Sequence, residues 1–68
     1  MIDTNNMGKK IAEARRSIGL TQKELAERVG VTAQAVSKWE RGNSCPDLAI
    51  LDEVARALSI SVSDLLGI

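Results

Sequence analysis

Residues 22–41 constrain the fold of this chain most, because the pattern of their apolar side chains changes phase at a single glycine. Before Gly30, one helical stripe is formed by three residues: Leu25, Ala26 and Val29. After it, a second stripe is formed by two residues: Val36 and Trp39. Only the Val-Gly-Val sequence of residues 29–31 lies between the first helical segment and Thr32, which opens the second. Glycine tolerates the positive φ that ends a helix and turns the chain sharply. We therefore predict two short helices joined by a tight turn.

The residues that flank these helices carry matching start signals. Thr21 with Glu24 three residues later is a capping-box pattern, and Thr32 is a good N-cap for the second helix. Ala26 falls where the two helices should cross most closely, and a larger side chain there would force them apart. A plain helical hairpin in a small bundle is the alternative, but such hairpins rarely combine all of these features in one register. The pattern therefore favours a helix-turn-helix.

The same residues resemble the lambda-repressor-like (Cro and xenobiotic-response-element type) DNA-binding domains. Three segments carry the resemblance: Thr21-Gln22-x-Glu24-Leu25-Ala26, Val29-Gly30-Val31-Thr32 and Val36-Ser37-Lys38-Trp39-Glu40-Arg41-Gly42. Two later segments are similar to the closing helices of that family: Pro46 and Leu58-Ser59-Ile60-Ser61-Val62-x-x-Leu65-Leu66. The resemblance covers almost the whole chain. It implies a compact all-α domain of five helices, with the helix-turn-helix at helices 2 and 3, that binds specific sequences of double-stranded DNA and regulates transcription as a repressor.

Length and composition agree with one small domain and give no sign of an enzyme. A chain of 68 residues lies near the lower limit for folding without a disulfide or metal, so apolar packing must stabilise it. There is no signal peptide and no apolar run long enough to span a membrane, so we expect a soluble, cytoplasmic protein. The single cysteine, Cys45, has no histidine to join it in a zinc site or a nucleophilic pair. We expect no catalytic residue, no metal and no cofactor.

The charges are unevenly distributed along the chain. The formal net charge is zero, which by itself argues against a nucleic-acid partner. However, residues 1–45 carry eight basic and five acidic side chains, whereas residues 46–68 carry one basic and four acidic ones. A chain polarised in this way can offer a basic face to phosphate and an acidic face to water or a partner. Ordinary solvated surface would give the same count.

Apolar spacing and breakers predict the remaining elements. We expect a flexible N-terminal arm over residues 1–6 and a helix-turn-helix DNA-binding domain over residues 7–68. A first helix over residues 7–18, with Asn6 as its N-cap, would turn four residues to the core: Met7, Ile11, Ala14 and Ile18. Gly19 would stop this helix, and Leu20 would pack back on the core.

Four further helices follow in this prediction. Helices 2 and 3 cover residues 22–29 and 33–41, and a turn follows at residues 42–46. Ser44 or Asp47 caps a fourth helix that ends near residue 58, with an apolar stripe of five residues: Leu48, Leu51, Val54, Ala55 and Leu58. Ser61 and Asp64 resemble a second capping box, which opens a last helix through residue 66.

The second helix of a helix-turn-helix enters the major groove, where base edges carry a hydrogen-bond code. Four residues lie on the face turned away from the core stripe of helix 3: Ala33, Gln34, Ser37 and Lys38. The Gln34 carboxamide can donate and accept, which suits adenine, whereas Lys38 can only donate, to guanine or to a phosphate. Ser37 discriminates poorly, and Ala33 offers at most a methyl contact. Some relatives carry a glutamine at the position of Ala33. Because this chain lacks that glutamine, fewer of its side chains can discriminate between bases.

The resemblance also implies which residues hold the DNA backbone and which hold the helices together. Gln22 is the usual backbone contact of the family, Lys23 and Thr32 lie beside it, and Arg41 and Asn43 match the place where relatives hold the second strand. Each of these residues would otherwise be solvent-exposed polar surface. The resemblance further implies an ion pair between Arg15 and Glu40; the alternative for Arg15 is an exposed charge or a phosphate contact.

Relatives usually bind a pseudo-palindromic operator as a homodimer. We expect this chain to use its C-terminal helices for the dimer, through the exposed members of a set of four residues that could instead be core: Ile60, Val62, Leu65 and Ile68. A protein–protein interaction module that retains the fold without binding DNA is the alternative function, favoured by the neutral net charge and by Ala33.

Overall fold

The computed structural model describes residues 3–68, and these form five helices without any strand. The elements are α1 (Thr4–Ser17), α2 (Gln22–Val29), α3 (Ala33–Glu40), α4 (Leu48–Leu58) and α5 (Val62–Leu66). The all-α fold with a helix-turn-helix at helices 2 and 3 is therefore confirmed. No helix within residues 3–68 is long and apolar enough to cross a membrane.

The predicted apolar stripes meet in one core. Ile11, Leu25, Val36 and Val54 are fully buried there, and Trp39 is only 6% exposed. Leu20 packs back on this core as predicted. Burial of one Leu or Val side chain stabilises the folded protein by about 1.5–3 kcal/mol. This shared core therefore holds α3 firmly against its neighbours.

The turn between α2 and α3 forms as the sequence predicts. The capping box at the start of α2 is complete: the Glu24 amide donates to the Thr21 hydroxyl at 3.0 Å, and the Thr21 amide donates to the Glu24 carboxylate at 2.9 Å. Gly30 ends α2 in the left-handed conformation with a φ of 80°. The Thr32 hydroxyl then accepts a hydrogen bond from the Ala35 amide at 3.1 Å, which begins α3. These bonds fix the entry of α3 without help from its outer face.

The predicted start of α1 is wrong by three residues. Asp3, not Asn6, is the N-cap, because its carboxylate accepts hydrogen bonds from the Asn5 and Asn6 amides at 3.0 and 3.2 Å. Of the predicted arm, residues 1 and 2 lie outside the described residues, and residues 4–6 belong to α1. Aspartate and asparagine are equally good N-caps, so the earlier one can add a polar turn to the helix.

Two residues that we assigned to the core are exposed, and both stand at a helix end. Ile18 is 45% exposed because α1 ends at Ser17, and the non-helical backbone of Ile18 takes its side chain out of the stripe. Leu48 is 76% exposed because it is the first residue of α4 and lies beyond the core. Asp47, rather than Ser44, caps that helix, and α3 ends at Glu40, one residue earlier than predicted.

Candidate nucleic-acid interface

Helix α3 has one buried side and one open side. Val36 and Trp39 are buried, whereas Gln34 and Lys38 are exposed on the opposite side. Ser37 and Ala33 are half-buried, and Ala33 also packs against the core. The open side carries a shallow surface pocket lined by four polar residues: Gln34, Ser37, Lys38 and Arg41. The structure thus brings three of the four residues assigned to base contacts together with one assigned to phosphate, and leaves Ala33 at the edge.

This open side carries two positive charges without a carboxylate partner. Within residues 3–68 the ion pairs join Arg15 to Glu40 and Arg56 to Asp52, so they do not involve Lys38 or Arg41. Arg41 lies back along α3, where its Nε donates to the Ser37 carbonyl oxygen at 3.3 Å. Both cations therefore remain available to an anion that approaches α3 from solvent.

The other residues assigned to phosphate lie at helix ends. Lys23 is exposed in the first turn of α2, and Thr32 is exposed at the start of α3. The Thr32 oxygen already accepts the N-cap bond, so its hydroxyl proton is what it can offer a phosphate. The backbone amide of Asn43 donates to the Lys38 carbonyl oxygen at 2.9 Å and closes α3, which leaves the exposed Asn43 side chain free for a ligand.

The ion pair between Arg15 and Glu40 is present and nearly buried. Arg15 Nε donates to Glu40 Oε2 at 2.7 Å, and Arg15 Nη2 donates to Glu40 Oε1 at 3.0 Å. The two side chains are only 11% and 7% exposed. Arg15 Nη1 also donates to the Leu20 carbonyl oxygen at 2.8 Å. The pair ties α1 to the last residue of α3 and to the segment that precedes α2.

Both groups of this pair are held in their charged forms. Burial acts to raise the pKa of Glu40, but hydrogen bonds from Arg15 and Gln22 outweigh it, so the pKa lies below its ordinary value. The hydrogen bond to Glu40 likewise raises the pKa of Arg15. A carboxylate and a guanidinium therefore face each other at neutral pH, and their charges largely cancel.

Two contacts that support this interface from within the protein could not be predicted from the sequence. Gln22 is half-buried and its Nε2 donates to Glu40 Oε1 at 3.0 Å, so the side chain assigned to phosphate is already held within the protein. Gly8 lies where α1 meets the end of α3, since a Cβ there would overlap the Trp39 carbonyl oxygen. Both contacts depend on where another helix places its atoms, which no spacing pattern encodes.

The whole arrangement matches a known family. A helix-turn-helix family model matches residues 11–65. An uncharacterised helix-turn-helix transcriptional regulator of Methanothermobacter thermautotrophicus is 52% identical over 48 residues, which are 71% of this chain and 70% of that relative. The chain belongs to this family of helix-turn-helix transcriptional regulators. It spans smaller shares, 40%, 28% and 52%, of three other curated relatives.

Solved structures that are similar to this chain include DNA complexes. The P22 c2 repressor in complex with a synthetic operator is 35% identical, with a TM-score of 0.86, over 88% of this chain and 91% of the repressor chain in that crystal. SinR, the master regulator for biofilm formation, in complex with DNA is 34% identical, with a TM-score of 0.82, over 88% of this chain and 97% of the SinR chain in that crystal. The likeness therefore extends over nearly all of the fold that presents α3.

Proposed function

We propose that this DNA-binding regulator is a repressor that binds a pseudo-palindromic operator as a homodimer, with α3 in the major groove. One observation carries the proposal: α3 buries Val36 and Trp39 and turns a polar, cationic side with Gln34 and Lys38 to solvent. An α-helix fits the major groove, and the groove offers these side chains acceptors and donors. Because the target is DNA, we propose a cytoplasmic location.

Four residues of α3 face the bases in this proposal, with unequal roles. Gln34 is exposed in the first turn, and its carboxamide suits the N6 and N7 edge of adenine. Lys38 lies one turn further and donates to guanine O6 or N7. Ser37 adds a hydrogen bond of little discrimination, and Ala33 reaches at most a thymine methyl group. Gln34 is therefore the residue on which the base preference mainly depends.

The remaining polar residues set the register on the DNA backbone. Gln22 and Lys23 at the start of α2, with Thr32, hold one strand, and Arg41 and Asn43 after α3 hold the other. Contacts of this kind position the protein but carry little sequence information. Their energy depends on released counterions, so binding should weaken steeply as salt rises.

A homodimer through the C-terminal helices would double these few base contacts. Ile68 is 88% exposed, and Ile60 and Val62 are half-buried, so these three remain candidates for the dimer surface. Leu65 is only 1% exposed and belongs to the core, so it is removed from the set. Two copies related by a two-fold axis would read half-sites about one helical turn apart.

The experiment that tests this function is selection of bound duplexes from a randomised DNA library at moderate salt, with Gln34→Ala in parallel. We expect enrichment of an inverted repeat, and in Gln34→Ala the loss of preference at one symmetric base position. A reporter gene placed behind the selected sequence should then be repressed by the wild-type protein. A folded protein that enriches no sequence would reject the proposal and favour the protein-interaction module.

A further inference from the structure

Glu40 contacts more than its ion-pair partner. Its Oε1 accepts hydrogen bonds from Arg15 Nη2 and from Gln22 Nε2, each at 3.0 Å, while its Oε2 accepts from Arg15 Nε at 2.7 Å. Its side chain is 7% exposed, so water competes little for these bonds. Glu40 thus joins α1, the end of α3 and the first residue of α2 at one carboxylate.

The carboxylate determines which way the Gln22 amide group points. A carboxamide has a nitrogen that donates two hydrogen bonds and an oxygen that only accepts. A carboxylate accepts only, so it selects the orientation in which Gln22 Nε2, and not its oxygen, faces Glu40. One N–H is used on Glu40, and the second remains for an acceptor outside the protein. A phosphate is such an acceptor, and it would be repelled by the amide oxygen.

We propose that Glu40 is a positioning residue for DNA binding, which holds the carboxamide of Gln22 ready to donate to a phosphate. This inference rests on the proposed function, because it assigns a phosphate to Gln22. A free glutamine side chain loses rotamer freedom when it binds, and holding it beforehand removes that cost from the affinity. Arg15 has a part in this arrangement, since its charge offsets that of Glu40 and reduces repulsion between the carboxylate and the phosphate.

The first test uses the carboxamide signals of the wild-type protein in nuclear magnetic resonance. The chain has two glutamines, and the exposed Gln34 is the matched control for Gln22. We expect one carboxamide proton of Gln22 to exchange with water more slowly than either proton of Gln34. Addition of the selected duplex should shift the unprotected Gln22 proton and leave the other protected. Equal exchange at the two glutamines, or loss of protection on DNA, would overturn the inference.

The second test separates positioning from a purely structural role of Glu40. Glu40→Gln has one acceptor oxygen, for which Arg15 competes, so Gln22 loses its partner. We expect this variant to bind the selected duplex about 3- to 10-fold more weakly, the cost of fixing one side chain during binding. In a Gln22→Ala background the same substitution should not weaken binding, because no carboxamide remains to be positioned and the lost negative charge only favours a phosphate. An equal loss in both backgrounds would mean that Glu40 acts through the fold alone.

Lys23 supplies the control for the double-mutant cycle of Glu40 and Gln22. It is the next residue of α2, is exposed, and is also assigned to phosphate. Lys23→Ala and Glu40→Gln should therefore weaken binding independently, so that their factors multiply. Full affinity in Gln22→Ala, with Lys23→Ala weakened, would overturn this inference and the phosphate contact assigned to Gln22, but not DNA binding through α3. A wild-type protein that binds no duplex would reject the proposed function itself. If Glu40→Gln does not fold, the wild-type carboxamide signals still decide.

Discussion

Gly8 lies inside α1, at the point where this helix touches the last turn of α3. A Cβ there would overlap the carbonyl oxygen of Trp39 and would meet that of Glu40 at 3.0 Å. Both obstacles are backbone atoms, so they cannot turn aside as a flexible side chain would. The missing side chain of Gly8 therefore sets how closely α1 supports the helix that we place in the major groove.

We expect Gly8→Ala to destabilise the protein although alanine is the better helix former. The gain in helix propensity is about 1 kcal/mol, but forcing α1 and α3 apart should cost about 2–3 kcal/mol, the upper part of the range for overpacking, which leaves a net loss of about 1–2 kcal/mol. Urea denaturation of both proteins measures the difference. Lys9→Ala, at the exposed neighbouring position, should change the free energy of unfolding by less than about 0.5 kcal/mol. A more stable Gly8→Ala would contradict the close approach.

The charge of Glu40 should make stability depend on pH. Its pKa is lowered in the folded state, so the folded form binds fewer protons than the unfolded form in acid. The stability that Glu40 contributes is therefore present above its ordinary pKa of 4.5 and is lost as the pH falls through the folded value.

Glu40→Gln isolates this effect from that of the other carboxylates. At pH 7 the variant should lose about 2–3 kcal/mol, because Arg15 is left without its charged partner in a nearly buried place. Below pH 4.5 the wild type should lose stability faster than the variant, so that their free energies of unfolding converge. Denaturation series between neutral and acid pH give both curves; parallel curves would contradict the lowered pKa.

At the scale of elements, α2 and α3 could be predicted from the sequence because their boundary signals are local. Thr21 and Thr32 cap the helices that directly follow them, and Gly30 supplies the turn conformation between them. The start of α1 could not be predicted, since Asp3 and Asn6 are both suitable caps and the turn between them is polar.

The candidate site likewise has features that the sequence predicts and features that it does not. Helical spacing was sufficient to predict the open face of α3 and its residues Gln34 and Lys38. It could not predict the contact of Gly8 with α3 or the bond from Gln22 to Glu40. Those contacts join residues 18 or more positions apart in the sequence, so they arise only when tertiary packing brings helix ends together.

The two ends of α3 should differ in what they contribute to DNA binding. Gln34→Ala should cost about 1–3 kcal/mol on the preferred sequence and relax one base position. Arg41→Ala should weaken all duplexes alike and lower the slope of log affinity against log salt by about one unit. Titrations of selected and scrambled duplexes at several salt concentrations measure both effects. Arg56→Ala removes an exposed charge from α4 and should change neither the base preference nor the salt slope. If Gln34→Ala lowered only the salt slope and Arg41→Ala relaxed a base position, the residues that contact the bases would be wrongly assigned.

At the scale of the whole molecule, the basic side chains lie mainly before residue 46 and the acidic ones after it. The element that we place in the groove and the elements that we assign to dimerisation thus come from opposite halves of the chain. Among residues 3–68, three large apolar residues remain exposed, Ile18, Leu48 and Ile68, and only the last belongs to the C-terminal end. Ile68 is therefore the residue that best distinguishes a dimer through the C-terminal helices from other modes of association.

Ile68→Asp should weaken binding to an inverted repeat without changing binding to a single half-site. The new charge would have to be desolvated in a dimer interface, so the second copy would lose the advantage of binding beside the first, about tenfold or more in affinity. Leu48→Asp is the matched control, because Leu48 is 76% exposed but lies at the start of α4. Sedimentation of the protein with each duplex counts the bound copies. If Leu48→Asp abolished binding of the second copy while Ile68→Asp retained it, the dimer would use the start of α4 instead. If both variants still bound as two copies, the inverted repeat would be bound by copies that do not contact each other through Ile68 or Leu48.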